Sequence, residues 1–170
     1  MFEDIRLDTP NISGRMDNLR AAILRPQLRT LTERCARWNA LYRVVEAGLA
    51  RTPGVTLINR PSKEHFVASS IQFLLLDWPE DAIRDVVAGC AARGVELKWF
   101  GAPEPQGFTS RYTSWRYAAP EPMPQTDRVL SAILDLRPPL TFTEEDCALI
   151  ARIIRADVLA WATALGLAAE

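Results

Sequence analysis

The chain has 170 residues, 48% of them hydrophobic, and a formal net charge of −1. That composition excludes a disordered tail and a dedicated nucleic-acid binder, and the length excludes a complete (β/α)8 barrel, which needs about 200 residues or more. The basic residues are eighteen arginines and only two lysines, Lys63 and Lys98, so any amine chemistry within the chain falls to those two.

Residues 1–14 read as an extended N-terminal segment ending in a turn at Ser13-Gly14, and residues 15–170 as a single α+β domain. The start, Met1 to Arg6, is acidic and poor in apolar residues, unlike a signal peptide. No run of about 18 apolar residues is present to span a membrane, so a cytoplasmic chain without a membrane partner is expected. Leu19, Ala22 and Ile23 mark one helical face before Pro26, which should kink or restart the helix by removing a donor and crowding the preceding turn. Beyond it Leu28, Leu31, Cys35, Trp38, Tyr42, Val45 and Leu49 recur in steps of three and four. That seam belongs to a long helix packed on a core or on a partner.

Pro53-Gly54 breaks the chain, Val55 to Ile58 reads as a short strand, and Asn59 to Glu64 as a polar loop. Val67 to Leu76 is rich in β-formers, and its Ile71 to Leu76 run predicts a buried strand. Asp77 to Glu80 predicts a helix start with Pro79 at the first helical position. Ile83, Val86, Val87, Cys90 and Ala91 form the stripe of that helix, Gly94 its C-terminal cap, and Val95 to Phe100 the next strand. Residues 101–124 are irregular, with five prolines and the aromatics Phe108, Tyr112, Trp115 and Tyr117. A loop of that length in a compact domain is commonly functional or partner-facing. Thr126 to Asp135 predicts a short helix carrying Val129, Leu130, Ile133 and Leu134, followed by an extended Leu136 to Leu140. Thr143 and Asp146 open the last helix as a capping pair, and its stripe is Ile150, Ile153, Ile154, Val158, Trp161 and Leu165. The expected architecture is α+β: a small, mostly antiparallel sheet of three or four strands packed by helices, with a long N-terminal helix. Cys35, Cys90, Cys147 and the lone His65 lack the spacing of a metal site or a disulfide framework, so no metal is expected.

Two segments carry a family resemblance. Asn11-Ile12-Ser13-Gly14-Arg15-Met16-Asp17-Asn18-Leu19-Arg20-Ala21-Ala22-Ile23, followed by Gln27-Leu28, is similar to the N-x-R-M-x-x-L-x-A-A-I…Q-L signature of the DegT/DnrJ/StrS sugar aminotransferases. Leu136-Arg137-Pro138-Pro139-Leu140, running on to Thr143-Glu144-Glu145-Asp146, resembles that family's closing L-P-L-x-x-x-L-T-E-E-D. Between them, Ala91-Ala92-Arg93-Gly94-Val95 resembles its L-x-x-x-G-I helix-to-strand joint. The order of these elements is similar to the small C-terminal domain of fold type I enzymes.

The resemblance implies a pyridoxal-phosphate enzyme that moves an amino group, commonly from glutamate, to a keto-sugar carried on a nucleotide. It also implies that the Schiff-base lysine, the acid on the pyridine nitrogen and the stacking aromatic lie in a large N-terminal domain outside the part this chain resembles. The expectation is a C-terminal piece, inactive alone and without catalytic residues of its own, because the protein must supply the amine, the ring-nitrogen partner and a phosphate cradle. Lys63 lies in a polar loop beside Glu64, and Lys98 in a strand beside Trp99; neither has the family's lysine context.

In the family, an asparagine two places before the Arg-Met pair reaches the cofactor phosphate across the dimer. Here Ser13 holds that place and Asn11 lies two residues earlier, so either is a candidate phosphate donor, as either is a candidate helix cap. Arg15 is a further candidate for a phosphate or carboxylate, or for a surface salt bridge. Trp99, Arg111, Trp115 and Arg116 are the candidate substrate contacts, through stacking and arginine–phosphate pairing, with an aromatic minicore as the competing reading. The family's histidine-bearing segment is absent there, and His65 matches no catalytic position. The implied partners are a second copy or a large-domain chain, with a nucleotide-sugar substrate only in the complete enzyme. A stand-alone dimerisation module derived from the same domain is the alternative, and an unrelated α+β ligand-binding domain the third reading. Bare apolar surface on the Leu28–Leu49 seam and the last helix should drive self-association.

Overall fold

The computed structural model describes residues 16–64, 66–103 and 112–167, together with Asp8 and Gly14. The helix α1 (Asn18–Gln27) begins under the Asp17 carboxylate, which accepts the Arg20 amide at 2.8 Å. Pro26 sits within α1, and the chain tightens directly after it into a 3₁₀ turn, Leu28–Thr30, before α2 (Leu31–Leu49). That is the restart expected of a proline that cannot donate.

Burial along this rod is uneven. No residue of α1 is buried, and Leu19, Ile23, Leu28 and Leu31 are all exposed. The seam is buried only in its C-terminal half, at Tyr42, Val45 and Leu49 with Leu41 beside them. The reason is the reach of the covering helix. α5 (Glu144–Ala164) packs along α2, and Arg37 caps the approach to it by donating to the carbonyls of Leu140 and Phe142, at 3.0 and 2.6 Å. The seam residues before Arg37 lie beyond that cover.

Among the described residues the sheet is four-stranded in the order β1-β2-β4-β3, antiparallel throughout: β1 (Thr56–Leu57), β2 (Ile71–Leu74), β3 (Lys98–Trp99) and β4 (Ile133–Leu136). Strand alternation sends Ile71 and Phe73 to a helix-covered face with Leu134 and Leu136, leaving Gln72 and Asp135 opposite each other on the other face. Asn39 on α2 fastens the approach to β2, donating to the Phe66 carbonyl and accepting the Ala68 amide.

The central strand β4 corrects the sequence reading. Ile133 and Leu134 continue a helical spacing after Val129 and Leu130, but the helix α4 runs Pro124–Ala132 and stops there. From Ile133 the chain pairs with β2 on one side and β3 on the other, and two ladders outweigh one more helical turn. β3 is also shorter than Val95 to Phe100, although Val95, Leu97 and Trp99 alternate inward. Helix α3 (Glu80–Ala92) places Pro79 at its N-cap, one position before the expected one. It ends as expected: Gly94 has φ +81°, its amide meets the Ala91 carbonyl, and Val95 reaches back to Cys90. The last helix begins with a complete capping box between Thr143 and Asp146. Buried side chains of α2, α3, α5 and the inner sheet face form one core.

Candidate functional site

Of the residues singled out from the sequence, Asn11, Ser13, Arg15 and Arg111 lie outside the described residues. Lys63 lies on an exposed turn next to Glu64, whose carboxylate pairs with Arg60 at 3.5 Å. Trp99 is a core side chain, 9% exposed, and its indole N–H is spent on the Ser131 carbonyl at 2.7 Å. Its place on the inner sheet face, opposite Leu134, makes it a packing residue. Trp115 and Tyr117 stack on one another, 5.7 Å between centroids and 16° between planes, and both are exposed. Between them in sequence, Arg116 pairs with Asp8 at 3.2 Å. Nearby in the chain, Tyr112 donates to Asp127 and accepts the Met123 amide, tying this segment to the start of α4. The structure therefore groups Trp115, Arg116 and Tyr117 and places Trp99 in the core.

A second arrangement escaped the sequence reading. On the sheet face opposite Phe73 and Leu134, Lys98 is the register partner of Asp135. Asp135 is a buried acid, 3% exposed; one oxygen accepts Gln72 Nε2 at 2.6 Å and the other Arg137 Nε at 3.4 Å. Gln72 also donates to Ser70. No ion pair joins Lys98 to Asp135 among the described residues; the ammonium rests 5.6 Å from the Phe100 ring centroid. A shallow groove of about 690 Å³ opens here, lined by Val87, Ala91, Glu96, Leu97, Lys98, Asp135 and Arg137. The available signal was one acid inside the apolar run Ile133-Leu134-Asp135-Leu136, which a helical reading placed at a helix end.

Two of the three cysteines, Cys90 and Cys147, are buried thiols. Cys90 is buried and donates to Asp157 at 3.2 Å; burial first, then that hydrogen bond and the Asp157 charge, push its pKa up to about 12. Asp157 is itself paired with Arg93. Burial also raises Cys147. Among the described residues no group of His, Cys, Asp and Glu is placed to hold a metal ion, and no helix is long and apolar enough to cross a membrane.

Against this geometry, the sequence model of the DegT/DnrJ/EryC1/StrS aminotransferase family matches residues 2–155. The chain belongs to that family. Solved aminotransferases share the fold. TlmJ from Streptoalloteichus hindustanus superposes with a TM-score of 0.71 at 17% identity, over 89% of this chain and 40% of its own. For 3-amino-5-hydroxybenzoic acid synthase the TM-score is 0.69 at 19% identity, over 94% and 46%. For DesI, solved in the presence of its TDP-sugar product, it is 0.68 at 17% identity, over 89% and 38%. The chain thus spans less than half the length of these structures. No curated protein sequence matches it significantly.

Aminotransferases of the DegT family are generally dependent on pyridoxal phosphate. The described residues do not fit that cofactor by themselves. Lys63 is on an exposed turn, and Lys98 sits across from a carboxylate and against Phe100. Asp135, the one buried acid among the described residues, already accepts from Gln72 and Arg137. The groove beside Lys98 and Arg137 also holds Glu96 and Asp135, two carboxylates that would face a phosphate there.

Proposed function

We propose that this domain is the C-terminal part of an aminotransferase that moves an amino group, with glutamate as donor, onto a nucleotide-linked keto-sugar, in the cytoplasm. The cofactor lysine comes from a separate large domain, and the chain alone carries no transamination. The observation that supports this reading is the family match over residues 2–155, taken with a lysine inventory in which neither Lys63 nor Lys98 is placed to hold the cofactor. In the assembled enzyme Asn11, Ser13 and Arg15 are the candidates to reach the cofactor phosphate across a subunit boundary. Arg111, Trp115 and Arg116 are the candidates for the nucleotide, through stacking and guanidinium–phosphate pairs; Trp99 is no longer among them.

The test is incubation with pyridoxal phosphate, borohydride reduction and peptide mapping. The expected result is no specific pyridoxyl label on Lys63 or Lys98, and amino transfer only when a lysine-bearing large domain is present. Stoichiometric labelling of Lys98 by the chain alone overturns it.

A second reading, a stand-alone dimerisation module, draws on α1, where Leu19 is 72% and Leu28 66% exposed. A chain that self-associates and yet never supports amino transfer with any large domain would favour that module.

A further inference from the structure

Helix α4 is built into the fold at one end only. Every residue from Pro124 to Val129 is exposed, Leu130 is half-buried, and Ala132 is its one buried residue. The main helix contacts run from α5 to α2 and to α3, and α4 has no comparable partner among the described residues. Its C-terminal end is firmly docked. The Trp99 indole N–H donates to the Ser131 carbonyl at 2.7 Å, and the Leu75 amide donates to the Ala132 carbonyl at 3.0 Å. Gly101 lies so close that a Cβ there would come within 2.7 Å of Ser131 Cα. At Ile133 the backbone turns extended and enters the central strand β4.

The other end is held by polar contacts at the surface. Arg128 grips Asp77 in a bidentate pair, Nε to Oδ1 at 3.0 Å and Nη2 to Oδ2 at 2.7 Å. The two side chains are 65% and 66% exposed, so the pair is of the weak, salt-screened class. Asp77 has φ +62°, a left-handed conformation that aspartate enters more readily than most residues. That turn between β2 and α3 presents its carboxylate to α4. Beside Arg128, Asp127 accepts the Tyr112 hydroxyl at 3.0 Å, and the same hydroxyl accepts the Met123 amide at 3.3 Å. Residues 112–117 are thereby fastened to the free end of α4. The Arg116–Asp8 pair is a second exposed contact of the same weak class.

We propose that α4 is a hinged lever, which swings as a rigid body about Ser131–Ile133, carries residues 112–117 with it, and is held down by the Asp77–Arg128 latch. An exposed helix body, a docked element terminus and a surface latch are the physical marks of such a hinge. Trp115 and Arg116, the nucleotide candidates, ride on the lever. The motion itself needs no ligand and stands without that reading.

The experiment measures a spin-label distance by double electron–electron resonance in the full chain, between Gln125→Cys on α4 and Ala88→Cys on α3, with Cys35→Ser to remove the half-buried thiol. The parent should show one dominant distance and a minor second one. Asp77→Asn, which keeps a residue tolerant of positive φ, should raise the ratio of the second to the first about fivefold, and Arg128→Gln should do the same. Raising salt to about 0.5 M should shift the parent in the same direction and Asp77→Asn much less. Amide exchange on the same chains supplies the control. The amides of α5, of α4 and of Leu75 should exchange at parental rates in both variants, because a swinging helix keeps its internal hydrogen bonds and its hinge. The proposal is overturned if the parent and Asp77→Asn give the same distance distribution. It is equally overturned if α5 exchanges faster in Asp77→Asn, which marks global loosening, or if α4 alone loses protection, which marks unravelling. None of these readouts involves nucleotide or amino transfer, so failure here leaves the aminotransferase reading untouched, and failure of that reading leaves this one.

Discussion

Gly48 of α2 and Ala151 of α5 meet where the two helices pack together: a Cβ built on Gly48 would lie 2.5 Å from the Ala151 Cβ. The side-chain-free position lets the backbones approach closely and brings Val45 and Leu49 into the same core as Ile154 and Val158. The glycine thus sets the depth of the main helix–helix contact, at a cost in helix propensity of about 1 kcal/mol relative to alanine.

Gly48→Ala should therefore destabilise the domain by a net of about 1–2 kcal/mol, the overpacking term exceeding the propensity gain. Urea unfolding gives the value as a lowered midpoint at unchanged slope. Adding Ala151→Gly should restore part of it; no recovery in the double variant would place the strain elsewhere.

The start of α5 makes an acid-sensitive element. The Thr143 backbone amide, followed by its hydroxyl, holds the Asp146 carboxyl below its ordinary value. A depressed folded pKa means that this contribution is complete above the ordinary carboxylate value of about 3.9 and is lost as pH falls through the folded one. Thr143→Ala should cost about 1 kcal/mol at neutral pH. Asp146→Asn should flatten the acid limb of a stability–pH profile measured by thermal unfolding.

Cys90 should show the opposite dependence. Its thiol titrates at about 12 in the fold against about 8.5 in an unfolded chain, so the neutral thiol's contribution is intact below about pH 8.5 and declines as pH rises toward the folded value. With a thiol reagent at pH 8, half-buried Cys35 should react first, and buried Cys90 and Cys147 only on unfolding. Labelling of Cys90 at the rate of Cys35 would contradict its placement against Asp157.

The bare rod of α1 and its 3₁₀ turn should drive self-association in the absence of a large domain. Light scattering at tens of micromolar should give a mass above that of one chain, and Leu19→Glu with Leu28→Glu should return it toward the monomer. A monomeric parent chain under those conditions would remove this surface from consideration.

Much of the molecule was legible where the deciding interactions are local. The Thr143–Asp146 box, the Gly94 cap and the break at Pro26 depend on residues three to five apart, and each stands in the structure where its pattern put it, whereas the seam from Leu28 to Leu49 is buried only in its C-terminal half. The family was legible for a similar reason, since short ordered motifs at both ends of the chain carry it, and residues 2–155 match. The candidate site was less so: Trp99 looked like a ligand aromatic, but its partner Ser131 is 32 residues away.

The sequence alone determined the helical patterning, an inventory of two lysines and the family to which those motifs belong. Only the tertiary structure decided that Ile133 to Leu136 is the central strand, that Asp135 is buried opposite Lys98, and that the first half of the seam is bare. The physical reason is the same in all three. Strand pairing and burial are set by which distant segments arrive alongside, β2 and β3 around β4 and α5 along only part of α2, and no periodicity within one segment encodes how far its neighbour reaches.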